Sequence, residues 1–306
     1  MKMIHVFTPD RLVASVLAVP PLCRGSDFSL NEPENAKLIR HLESGGVRTL
    51  LYGGNANFYH IALSEYDTAL SMIAQLSGHD TLVIPSAGPT FGLMMDQAKV
   101  LRRHRFPTAM ILPQQGITTS PGVEAGIRRF VDAAGIPALL YIKSDGYIDV
   151  KQAAALARDG ISSGIKYATV RADPAKDDYL HQLVEQVDRR LIISGIGEQP
   201  AIVHLRDFGL FGFTSGCVCI APRLSVAMLE AIRRKEWESA ERIRSIFKPL
   251  EDLRNAINPI RVLHEAVRLA GIADTGPLLP LLTNLEGDCH AEIRQTATAL
   301  FAEGQG

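Results

Sequence analysis

Short apolar runs rich in valine, isoleucine and leucine alternate along the chain with longer segments of helical period. The apolar runs fall at residues 12–19, 47–52, 81–85, 109–112, 138–142, 163–166, 191–194 and 213–218. None alternates strictly between apolar and polar, which is the pattern of strands covered on both faces of a parallel sheet. Amphipathic stretches follow them at 35–43, 64–76, 90–105, 120–134, 149–158, 174–187, 199–208 and 223–234. Pro33 and Ser64 are good helix-start residues, and Gly46 and Gly135 sit where a left-handed residue ends a helix.

Eight strands, each followed by a helix, predict an α/β fold of the (β/α)8 TIM-barrel kind over residues 1–234. The competing doubly wound open sheet commonly uses fewer strands. It would also carry a G-x-G-x-x-G after its first strand, which this sequence lacks. From Trp237 the pattern is helical only, at 237–254, 259–270 and 277–285, with a polar tail after Glu286. Residues 235–306 are therefore expected to form a C-terminal helical extension packed on the barrel.

Composition narrows the partners. The 306 residues carry 32 Lys+Arg against 33 Asp+Glu, a formal net charge of −1. No basic excess is available to neutralise a phosphate backbone, so no nucleic-acid partner is expected. No run approaches the roughly 20 apolar residues that cross a bilayer, so no membrane partner is expected either. His5, Pro9, Asp10 and Arg11 interrupt any apolar leader. The four cysteines do not make a disulfide framework. Cys217 and Cys219 fit neither a redox pair nor zinc spacing, and read as buried small hydrophobes on one strand in a reducing cytoplasm. No ligand cluster with metal spacing is present, so neither metal nor cofactor is expected.

In a barrel of this kind the chemistry sits at the C-terminal ends of the strands. Lys166 ends the sixth apolar run, in GIKYATVRAD, with Ile165 and Tyr167 facing the other way. It reads either as a salt-bridged rim lysine or as an amine nucleophile. An ordinary lysine is neutral only about once in 2,500 molecules at pH 7. Burial or a second cation would free its lone pair to attack a ketone. Tyr141 and Lys143 lie two apart at the end of the fifth run, so they share a side. A phenol there can shuttle protons, or can simply be a hydrogen-bonded core aromatic. After the second run, Gly53 and Gly54 permit a tight turn whose amides converge on an anion. His60 nearby reads as a rim residue, with no second histidine at ligand spacing.

Taken in order, these segments resemble the dihydrodipicolinate synthase / N-acetylneuraminate lyase family of class I aldolases. Lys166 in GIKYA falls on the family's Schiff-base lysine, and Tyr141 in PALLYIK on the tyrosine of its YN-P segment. The turn from Gly53 to Asn57 falls on the GTTGE loop, Ser194-Gly195 on the SG of the seventh strand, and Gly212 to Ser215 on the eighth-strand motif. Asn258-Pro259-Ile260 and GPLLPLL match its C-terminal region. The resemblance implies a barrel with a helical extension, assembled as a dimer or tetramer, that holds a 2-oxo acid such as pyruvate on lysine. It makes Lys166 and Tyr141 catalytic. It gives the substrate carboxylate to the amides of Gly54 and Asn55, and makes Thr214 a further substrate contact.

Departures from the family's pattern are as informative. Its threonine pair is Gly54-Asn55 here, and its paired tyrosines after the fourth strand are Gln114-Gln115. The arginine that holds the aldehyde's carboxylate falls near Gly146, and Ile142 and Tyr167 replace an asparagine and an aspartate. A dihydrodipicolinate synthase is therefore not expected. The expectation is a Schiff-base lyase that cleaves or forms a C–C bond of a 2-oxo acid. A keto-deoxy sugar acid dehydratase and a non-catalytic 2-oxo-acid sensor are its rivals. Lys143 is expected to hold a second part of the substrate, or to lower the pKa of Lys166 by like-charge repulsion.

Overall fold

The computed structural model describes residues 6–305. The start of the leader region weighed above, residues 1–5, lies outside them. Nine parallel strands run β1 (Leu17–Ala18), β2 (Thr49–Leu51), β3 (Leu82–Ile84), β4 (Ser86–Ala87), β5 (Ala109–Ile111), β6 (Ala138–Ile142), β7 (Ser162–Tyr167), β8 (Ile192–Ser194) and β9 (Gly212–Ser215). Their order is β3-β2-β1-β9-β8-β7-β6-β5-β4. Strands β3 and β4 are two pieces of one run parted at Pro85, so the two ends of the sheet meet and a (β/α)8 barrel closes.

Two-sided burial explains the sequence pattern. Every residue of the nine strands is buried except Tyr141, which is partly open at the C-terminal edge of β6. The outer helices start and stop where their caps dictate. Asn31 accepts the Glu34 amide at the head of the helix Glu32–Ser44, and Gly135 at φ 71° ends Ser120–Ala134.

One irregularity positions the site. Ala138 pairs with Ser162 but Leu139 pairs with Gly164, so β7 carries an extra residue. The hydroxyl of Ser162 closes the bulge by donating to the Gly164 carbonyl at 2.7 Å. The offset pairs Tyr141 with Lys166. Without it Tyr141 would pair with Ile165, and Lys166 would face the opposite side of the sheet.

The structure departs from the sequence reading at both ends of the barrel and beyond it. The first run is divided between a helical turn, Pro9–Leu12, and a two-residue strand. The last strand stops at Ser215, and Cys217–Cys219 form a 3-10 turn. The two cysteines are fully buried, but not side by side on a strand. Residues 277–285 are not helical, because Pro277 and Pro280 break the pattern there. They form a strap held by Asn284, whose Nδ2 donates to the Gly276 carbonyl at 3.0 Å and whose Oδ1 accepts the Leu278 amide at 2.8 Å. The tail read as polar is the helix Asp288–Glu303, which buries Ile293, Ala297 and Leu300 at helical spacing. That helix packs on Trp237–Ala256 and Pro259–Leu269.

Gly276 sits at φ +67°, and a Cβ there would stand 1.9 Å from the Arg24 carbonyl oxygen. Gly276→Ala is therefore expected to destabilise the protein by about 1–3 kcal/mol or more. Thermal unfolding measures it, and an unchanged midpoint would show that the strap is not docked as described.

Candidate active site

Tyr141 and Lys166 stand side by side at the C-terminal ends of β6 and β7. The Lys166 Nζ lies 4.4 Å from the centre of the Tyr141 ring. Tyr167, the next residue, points outward by strand alternation. Its hydroxyl donates to Asp177 at 2.6 Å and its ring stacks on Tyr179. Lys166 is only 5% exposed, and space for its stem comes from Gly195 at the end of β8. A Cβ on Gly195 would lie 3.0 Å from the Lys166 Cγ and 2.8 Å from the Tyr167 carbonyl oxygen.

These residues open on a cavity of about 220 Å³. Gly54, Asn55, Tyr141, Lys143, Lys166 and Thr214 all line it, so the barrel brings every sequence-predicted site residue to one place. The glycine turn is closed by its own backbone hydrogen bonds. Asn57, at φ 60°, donates its amide to the Gly54 carbonyl at 2.8 Å. Among the described residues the amides of Gly54 and Asn55 donate to no acceptor. The Asn55 side chain ties the turn to the end of β1, its Nδ2 donating to the Val19 carbonyl at 2.9 Å. Thr214 is buried on β9, and Lys143 stands at the exposed rim.

Burial sets the ionisation of the pair. It brings the Lys166 pKa down to about 7, with the charges of Lys143 and Arg254 adding to the effect. The ring face of Tyr141 favours the ammonium, by about 2 kcal/mol at a desolvated site. That falls short of the several kcal/mol that desolvation removes from a buried ion. Burial pushes the Tyr141 phenol up to about 12, so it keeps its proton at neutral pH, while Arg254 pulls weakly the other way. Partial burial also lowers the pKa of Lys143.

Sequence reading missed Arg254, which reaches the cavity from the helix Trp237–Ala256. Phe247, Leu250, Glu251 and Arg254 recur at the spacing of one buried helix face, and two of the four are charged. That anomaly was the available signal. Asn258 also lines the cavity, but its side chain caps the helix Pro259–Leu269, accepting the amides of Ile260 and Arg261 at 3.1 Å each. Among the described residues no group of three or more His, Cys, Asp or Glu is placed to hold a metal. None of the described helices is long and apolar enough to cross a membrane.

No protein-family model and no curated protein matches the chain. Solved structures do. A dihydrodipicolinate synthase from Bacillus clausii is 24% identical at a TM-score of 0.81, over 96% of this chain and 100% of that one. A sialic acid aldolase from Ruminococcus gnavus is 11% identical at a TM-score of 0.82, over 96% and 98%. The chain has their fold. A prophage protein of Escherichia coli K12, described as belonging to the dihydrodipicolinic acid synthase family and solved with pyruvate, is 18% identical at a TM-score of 0.80, over 94% and 98%.

Because the neutral amine is the reactive form, acetylation of Lys166 by acetic anhydride is expected to slow as the pH falls through about 7. In Lys143→Gln one repelling charge is gone, and the half-maximal pH should move upward. Peptide mass spectrometry of the modified lysine reads both. An identical pH profile in the variant would sink the like-charge argument.

Proposed function

We propose that this protein is a diverged member of the dihydrodipicolinate synthase / N-acetylneuraminate lyase family that acts on a 2-oxo acid through a Schiff base on Lys166. The observation that carries the reading is a buried lysine with a pKa of about 7, paired across the sheet with a protonated tyrosine. The fold shared with the aldolase and synthase structures supports it, and so do the amides of Gly54 and Asn55, which have no backbone acceptor among the described residues.

The neutral Lys166 amine attacks the keto carbon to give a carbinolamine. Tyr141 donates its proton to the carbinolamine hydroxyl, which leaves as water, and the iminium forms. The substrate carboxylate lies on the amides of Gly54 and Asn55. In the cleavage direction the C4 hydroxyl returns a proton to Tyr141. The C3–C4 bonding pair then moves into the iminium as an enamine, and an aldehyde or ketone departs. A hollow of about 470 Å³ adjoins the cavity and shares Val170, Ile196, Asn255 and Pro259 with it, which gives that half of the substrate room. The same iminium would also support loss of water from a 3-deoxy sugar acid, and release of pyruvate separates the two reactions.

Incubation with pyruvate and borohydride is expected to leave a reduced adduct on Lys166, located by mass spectrometry and lost in Lys166→Ala. Tyr141→Phe should slow adduct formation roughly 100-fold or more. No adduct with pyruvate or with any 2-oxo acid of a sugar-derived panel would overturn the lyase reading and leave a binding role.

A further inference from the structure

The cavity around Lys166 is unbalanced in charge. Three basic side chains, Lys143, Lys166 and Arg254, line it, and no aspartate or glutamate does. Lys166 gives up its charge near neutrality, which leaves the other two.

Arg254 is only 7% exposed. Its Nη2 donates to the Ile196 carbonyl at 2.6 Å, and its Nε is buried with no partner. The carboxylate nearest to it, that of Glu251, stands 3.9 Å from Nη2. The oxygens of Glu251 accept the amides of Glu198 and Gln199, at 3.0 and 2.9 Å. Glu198 is fully buried as well, and accepts the hydroxyls of Ser215 and Ser225 at 2.8 and 2.7 Å. Burial raises the pKa of both carboxyls, and their proximity raises that of Glu251 further, while Arg254 pulls both the other way. The guanidinium thus lines the cavity with its nearest carboxyl 3.9 Å away and its Nε without a partner. Buried donors of that kind are met when an anion arrives.

We infer that Arg254, with Lys143 at the rim, forms an anion subsite in the cavity, and that the natural substrate carries a second carboxylate beyond the reacting bond. The placement of the first carboxylate, on the Gly54–Asn55 amides, rests on the Schiff-base reading above. A carboxylate suits Arg254 better than a phosphate does. Its flat pair of oxygens matches the guanidinium fork, and it brings one charge rather than nearly two into a dry site beside a carboxyl pair.

Matched probes test this. Borohydride trapping on Lys166 is titrated with 2-oxoglutarate against 2-oxopentanoate, and with 2-oxoadipate against 2-oxohexanoate. Each pair differs by one terminal carboxylate. The expected result is that the diacid half-saturates trapping at a concentration about tenfold lower or less. Arg254→Gln should bring that ratio close to one, and Arg254→Lys should keep part of it. Equal half-saturation of diacid and monoacid in the wild type overturns the inference, and so does a preference that survives in a folded Arg254→Gln variant.

If no 2-oxo acid is trapped at all, the lyase reading has failed separately. Calorimetric binding of glutarate against pentanoate, neither of which can form an imine, then decides the subsite. Glutarate binding that requires Arg254 sustains it, and no difference between the two acids overturns it.

Discussion

An ammonium group buried in a barrel mouth is disfavoured unless an acid stands beside it, and among the described residues no aspartate or glutamate lines the cavity around Lys166. The surrounding burial and two further cations all lower its pKa, and together they outweigh the Tyr141 ring face, which favours the ammonium. The site follows from that constraint. In the proposed reaction neutral Lys166 is the nucleophile, Tyr141 beside it supplies the proton for a leaving hydroxyl, and the amides of the Gly54–Asn55 turn take the substrate carboxylate.

The constraint is met by strand register rather than by loops. The bulge at Ser162 to Gly164 places Lys166 and Tyr141 on one face, and Gly195 leaves the lysine stem room to rise between its neighbours. The back wall is polar and buried. Glu251 holds the amides that follow Gly197, and the Ile196 carbonyl holds Arg254. A chain segment at the end of β8 and a helix outside the barrel are thereby locked together. Elements far apart in sequence present their charges to one small space.

Much of this was legible in the sequence, and the reasons are specific. Strands covered on both faces leave continuous apolar runs, so the barrel could be counted from residues alone. Lys166 and Tyr141 stood out because each interrupts such a run at its end, where a barrel keeps its chemistry. The bulge was not legible, because Ser162, Ser163 and Gly164 carry no signal that separates an extra residue from an ordinary strand start. Nor was Arg254 identified, although its place on the buried face of its helix marked it. The helix Asp288–Glu303 was read as a polar tail because its small residues dilute the apolar stripe. The strap before it was read as helix because the leucines of GPLLPLL outweighed its prolines.

The central claim is that Lys166 loses its proton near neutral pH, so that much of it is the uncharged amine there. Its direct test is the pH titration of the Lys166 Nζ or Cε resonance in the isotope-labelled, ligand-free protein, assigned by comparison with Lys166→Ala. A midpoint near 7 is the expected result. A midpoint close to 10.5, the value of an unperturbed lysine, would contradict the account.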